Sequence, residues 1–384
     1  MKKWILTFFL LPLLGVAQLQ KISGVVYDKS SKETLPFVNI TVNKSKLGTA
    51  ADIDGRFDFS VNEEVLNIKF SYIGYETLEM DITEKTKFPL EVYLKESNNE
   101  LDQIELVAGE NPAHRIIKNA TAHRKTNNPK NLESFSYTSY NKFIVTLQRD
   151  SLLETEVMLF DDSTMQEVEL FMDKQHLMVM ESASERQYKK PNLDNEVITA
   201  NRISGLKNPT FVFLANQLQS FSFYEDFVSV VGVDYLNPIS VGSTKKYNFL
   251  LLDTTFVGLD TTFIISFRPK KSANFVGLHG LLYINSDGWA IQNVIAEPLE
   301  QPDFGIEIQQ LYKKFPGGSW FPYQMNYDFT FNNLNMDGVK PIGIGRTYIS
   351  EVKINPEIDK KDFSKIAIVI ENNATKREDN YWES

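Results

Sequence analysis

The chain has 384 residues, enough for two or three ordinary domains. A formal net charge of −10 argues against nucleic acid as a partner, because phosphate binding needs a basic surface. With no cysteine, disulfides and thiolate sites are excluded, and only 4 histidines argue against an all-histidine metal centre.

The first residues read as an export leader. Lys2 and Lys3 form a charged start, residues 4–14 are apolar, and Gly15-Val16-Ala17 offers a cleavage site ahead of Gln18. The apolar run is too short to span a bilayer. No cysteine follows it, so no lipoprotein anchor is expected.

Residues 18–96 read as about seven short strands separated by turns, the spacing of a β-sandwich. Ile22, Gly24, Val26 and Asp28 alternate onto one side, as do Val38, Ile40 and Val42. Asp54-Gly55 between extended runs predicts a hairpin. Asp52-Ile53-Asp54-Gly55 also resembles the start of a calcium loop, but it lacks the third acidic position and the closing Glu. A turn is the expected reading.

Residues 97–110 form a polar linker with a short alternating strand at 101–108. Asn111-Pro112 then predicts a helix start: Asn can cap the first turn, and Pro loses no hydrogen bond there. Ala113, Ile116, Ile117 and Ala120 make one buried stripe. Arg124 and Lys125 suit the far end of the helix dipole. Asn127-Asn128-Pro129 stops the helix. This helix is expected to join two β-rich domains.

Residues 111–371 read as an α+β domain with an antiparallel sheet. Alternation marks a strand at 137–147. The charged stretch 181–196 is expected as an exposed loop, and 224–233 as one extended segment. A second helical stripe holds Phe211, Leu214, Ala215 and Leu218. Hairpins are expected across 258–260, 285–288 and 316–319. A final strand at 366–370 precedes a charged tail, 372–384. The arrangement predicts one long meander that wraps helices.

Several motifs carry a family resemblance. Ile22-Ser23-Gly24-Val25-Val26-Tyr27-Asp28, Leu35-Pro36, Gly48-Thr49, Asp54-Gly55-Arg56-Phe57 and Ser71-Tyr72-Ile73-Gly74-Tyr75 resemble the carboxypeptidase-regulatory-like domain. That family is a prealbumin-type sandwich, and its implied role is structural, as a stalk or docking module. The helix from Asn111 to Ile117, Phe135-Ser136-Tyr137, Gly280-Leu281-Leu282-Tyr283-Ile284, Trp289-Ala290-Ile291 and Trp320-Phe321-Pro322 resemble the DUF5686 type, large outer-membrane proteins of unknown function. The resemblance implies an outer-membrane β-barrel after the residues matching Arg377 and Tyr381-Trp382, ahead of which this sequence stops at Ser384. The sheet domain is similar to the half-barrels of periplasmic lipoprotein carriers, an analogy of fold that does not fix function.

The expected fold is therefore mainly β: a seven-stranded prealbumin- or immunoglobulin-like β-sandwich plus a larger α+β domain with a curved antiparallel sheet and a few helices. None of His114, His123, His176 or His279 has a Glu three residues on, and neither a Gly-x-Ser-x-Gly elbow nor a phosphate-binding Gly loop is present. No catalytic residue, metal or cofactor is expected. His114, Arg115 and Lys118 are candidate contacts for anionic headgroups, with a solvated helix face as the plain alternative. Phe211 and Phe213 are candidates for lining an apolar pocket, with ordinary core as the alternative. The expected role is a non-enzymatic envelope protein, a periplasmic binding or scaffold module associated with the outer membrane. Its expected partner is an envelope protein or an apolar ligand. A soluble periplasmic lipid carrier is the alternative, and a hydrolase has the least support.

Overall fold

A computed structural model describes residues 19–45, 47–97, 111–149, 175–206, 222–230, 232–257, 260–271, 274–301, 304–332, 339–364 and 366–382. The expected leader, the expected strand at 101–108 and the expected helical stripe with Phe211 and Phe213 lie outside them. The chain divides into two compact units, Met1–Leu101 and Asp102–Ser384.

The described residues of the first unit form seven strands: β1 (Gln20–Asp28), β2 (Asn39–Val42), β3 (Gly48–Ala50), β4 (Arg56–Val61), β5 (Asn67–Ser71), β6 (Leu78–Asp81) and β7 (Leu90–Leu94). They form two sheets, β4-β1-β7 and β3-β2-β5-β6. Along β1 the buried positions are Ile22, Gly24, Val26 and Asp28, because successive side chains of a strand point to opposite faces. Ile40, Phe57, Ile68, Phe70 and Val92 fill the space between the sheets. The Phe57 and Phe70 rings meet edge to face with centroids 5.7 Å apart.

The Asp54-Gly55 turn is not a hairpin. Strands β3 and β4 belong to different sheets, so the turn carries the chain across the sandwich. Asp52 closes it: one carboxylate oxygen accepts the backbone N–H groups of Asp54 at 3.0 Å and Arg56 at 2.8 Å. An Asp that folds its own backbone this way makes an Asx turn. Local sequence marks the reversal but not which sheet the next strand joins.

The first described element of the second unit is α1 (Pro112–Asn127). The Asn111 side-chain oxygen accepts the Ala113 N–H at 2.9 Å, and its amide nitrogen donates to the Phe249 carbonyl at 2.8 Å. The cap therefore also pins the helix to the sheet. Ala113, Ile116, Ile117 and Ala120 are the buried stripe. Asn111→Ala is expected to cost this unit about 1–2 kcal/mol, from the lost cap and the orphaned carbonyl. Denaturant melts of both proteins check this, and an unchanged midpoint would refute the pinning role.

Among the described residues thirteen strands follow, with short helical turns between and after them. They are β8 (Ser134–Arg149), β9 (Met178–Lys189), β10 (Leu193–Gly205), β11 (Phe227–Val230), β12 (Val233–Leu236), the turn α2 (Ser243–Lys246), β13 (Tyr247–Val257), β14 (Asp260–Pro269), β15 (Leu278–Asn285), β16 (Ile291–Pro298), β17 (Phe304–Lys314), β18 (Trp320–Phe331), β19 (Val339–Ile354), β20 (Ile368–Ile370) and the turn α3 (Asp379–Trp382). Eleven of the strands make one curved sheet in the order β13-β14-β15-β16-β17-β18-β19-β8-β9-β10-β20. The run β13 to β19 is the expected meander. It then closes back on β8, and β20 adds to β10 in parallel.

One face of this sheet carries a large apolar cluster. Phe143, Met180, Ile265, Leu282, Ile308 and Tyr327 pack there with the α1 stripe and with Phe223, Tyr224 and Ile239. The expected loop at 181–196 is instead most of the β9–β10 hairpin. Its charges mislead because they are satisfied across strands rather than by water. The expected extended segment at 224–233 is a turn followed by β11, which pairs with β12. Phe227, Val228, Val230 and Val231 suggest one strand, and the sign of the reversal is Gly232, which takes a φ of 77° just ahead of β12.

Candidate functional site

The polar positions of the sheet domain form two groups. The first shares the helix-side face of the sheet, two residues along from Phe143 and Met180. Ser139 and Ser184 share a hydrogen bond of 2.8 Å, and the Thr347 hydroxyl donates to the Asn141 side-chain oxygen at 2.9 Å. Ser184 also donates to Glu196 at 2.7 Å. Arg186 holds Asp194 with two bonds of 2.8 and 2.6 Å. This row separates the α1 cluster from a second apolar cluster of Phe135, Tyr137, Tyr188, Phe321, Met325 and Ile349. Sequence reasoning missed the row. Its one signal was the Ser139-x-Asn141 and Ser182-x-Ser184 alternation within otherwise apolar faces.

The second group lies on the opposite face. Buried Glu181 accepts hydrogen bonds from Tyr140 and from Arg202, the latter at 2.5 Å, and Lys142 lies 3.8 Å away. Burial opposes its ionisation, but the Tyr140 and Arg202 bonds prevail and lower its pKa. Arg202 also stacks on Trp382 at 4.7 Å, and Arg377 donates to the Thr199 carbonyl at 3.0 Å. These contacts fasten the last described residues to β10. Further along, Arg346 pairs with Asp328 at 2.5 Å. Burial, with repulsion from Glu297 and Asp328, pushes Glu307 up to about 7 against a 2.6 Å bond from Gln309.

The sequence-predicted residues fare differently. Arg115 and Lys118 are exposed on α1. His114 turns onto the sheet, where its ring meets Phe249 edge to face at 6.3 Å. Phe211 and Phe213 lie outside the described residues. Asp52 is spent on its own turn, and burial raises its pKa. Among the described residues no three His, Asp or Glu side chains gather as a metal-binding group.

The profile of a family of unknown function, DUF5686, matches residues 116–341, more than half of the chain. The chain belongs to the DUF5686 family. A CarboxypepD_reg-like domain precedes the DUF5686 region at residues 22–106. Both expected resemblances therefore hold, in the expected order. This DUF5686 chain is 33% identical over 108 residues to TonB-dependent receptor P3 of Formosa agariphila, a match covering 27% of the chain and 10% of the receptor. TonB-dependent receptor P39 of the same organism is 34% identical over 73 residues, covering 19% and 7%. The matches thus span a tenth or less of these relatives' length. Among solved structures, a DUF1329 family protein from Desulfovibrio piger is 10% identical, with 66% and 98% of the two chains covered and a TM-score of 0.28. A putative membrane-associated protein of unknown function from Bacteroides fragilis is also 10% identical, with 86% and 98% covered and a TM-score of 0.17. Scores this low carry no argument.

Proposed function

We propose that this DUF5686 protein is an exported, non-enzymatic module of the cell envelope that works as a binding or scaffold unit at the periplasmic side of the outer membrane. The observation that carries the reading is how the sheet's carboxylates are used. Glu181, Asp194, Glu196 and Asp328 are each engaged by a group on a neighbouring strand. Such pairs fix register between strands, which suits a scaffold. Acid–base work instead needs a group within reach of a substrate proton. The likeness to TonB-dependent receptors supports an outer-membrane setting, and the leader at residues 1–17 supports export.

Fractionation of the native protein tests this. The expected result is recovery with the periplasm or outer membrane and an N-terminus at Gln18. Recovery in the cytoplasm with Met1 intact would end the idea. The lipid-carrier alternative is less favoured, because α1 and residues around Phe223 already occupy the apolar face of the sheet. Stoichiometric lipid extracted from the purified protein would reverse that preference.

A further inference from the structure

The overall charge of the chain is negative, yet one corner of the second unit is poor in acidic residues. Three stretches meet there: 111–127, 235–252 and 261–286, none of which contains Asp or Glu. Helix α1 touches both α2 and β13, and β13 pairs with β14. The Lys270 N–H donates to the Lys246 carbonyl at 3.0 Å, which ties the ends of α2 and β14 together. Lys245, Lys246, Arg268 and Lys271 are exposed around that tie, and Arg115 is exposed on α1.

Apolar side chains are exposed in the same corner. Val241, just before α2, is 75% exposed, and Val276, just after the Lys270-Lys271 pair, is 55% exposed. Phe227 of β11 is 53% exposed. The Leu236 N–H donates to the Val276 carbonyl at 3.1 Å, so the β11–β12 hairpin is joined to the Val276 loop. The hairpin brings three acidic neighbours, Glu225, Asp226 and Asp234, and Glu225 faces Lys130 at 3.8 Å. Asp226 is paired with Arg124 at 2.7 Å, and Ser229 donates to Asp234.

We propose that this corner docks on an anionic lipid surface, with the basic side chains on headgroup phosphates and Val241, Val276 and Phe227 entering the interface. Charge complementarity selects the partner, since a net −10 protein gathers positive charge here at the edge strand of its sheet. Exposed apolar side chains among lysines match an interfacial anchor, where apolar burial adds to attraction for anionic lipid. An acidic protein would use the charges but would leave the three apolar side chains without a role. The inference rests on the envelope reading for which membrane is met, but vesicle binding does not depend on that reading.

The test is flotation of the full chain with vesicles of phosphatidylcholine alone or with 30% phosphatidylglycerol. Binding is expected only to the anionic vesicles and should be lost in high salt. Lys245→Glu, Lys246→Glu and Lys271→Glu together should weaken it about a hundredfold, at ~1 kcal/mol for each lysine lost. Val276→Ser should weaken it several-fold with no change in charge. Lys21→Glu with Lys95→Glu, in the sandwich, should leave it intact. If the triple reversal does not fold, the same three positions changed to Gln give the smaller loss to look for. No binding, equal binding to both vesicle types, or unchanged binding by the folded triple variant would overturn the proposal. Failure of fractionation alone would overturn the envelope reading and leave this one standing.

Discussion

Gly345→Val is expected to abolish the cooperative unfolding transition of the sheet domain, or to lower its stability by about 3 kcal/mol or more. Gly345 sits in β19 opposite Tyr327 of β18. The Tyr327 ring lies directly on it, so any Cβ there would collide with the ring. Tyr327 is buried, and it packs between Phe143 and Phe329 with centroid distances of 6.4 and 5.8 Å. Gly343, one pleat away, is crowded less severely by Phe143 and Phe329. The ring has no empty space to move into, because protein cores pack to crystal density. Urea melts followed by tyrosine and tryptophan fluorescence would measure the loss. The pairing of Gly345→Val with Tyr327→Ala should recover part of it, as expected for two residues in direct contact. A cost below about 1 kcal/mol for the single variant would be incompatible with this β18–β19 register.

Glu307→Gln is expected to stabilise the protein in a pH-dependent way. Burial raises the folded-state pKa of Glu307 from 4.5 to about 7. Between those values the folded state holds a proton that the unfolded state has released. Stability from this group is therefore complete below pH 4.5 and is lost as pH rises through 7. The loss is at most about 3.5 kcal/mol, at ~1.4 kcal/mol per unit. Glutamine keeps the shape and the acceptor for Gln309 but carries no proton to lose. The variant should exceed the parent by up to about 3.5 kcal/mol at pH 8 and match it near pH 4.5. An identical difference at both pH values would show that Glu307 ionises normally in the fold.

The sequence made much of this legible where one period dominated. The α1 stripe, its Asn111 cap and the strand pairs joined at 258–260, 285–288 and 316–319 were all readable, because hydrophobic spacing and turn residues agreed there. The hairpin at 181–196 was not, because Glu181, Arg186 and Asp194 look solvated until their cross-strand partners are known. The Asp52 turn showed a reversal without showing that the next strand changes sheet. The basic corner was only partly visible. Arg115 and Lys118 stood out on one helix, but the lysines at 245–246 and 270–271 join them only through the packing of α1 on α2 and β13. That packing is distant in sequence, and no local pattern encodes it.

The pairing of β8 with β19 also has a kinetic side. Thr347 bonds to Asn141 across 206 positions of sequence, and every pair along that seam is comparably distant. Contacts so far apart must overcome loop-closure entropy before they return any energy, so the seam should form late and slowly. Until β19 arrives, β8 and β18 both present bare edges that invite pairing with other chains. Over that interval the unfinished sheet is open to aggregation.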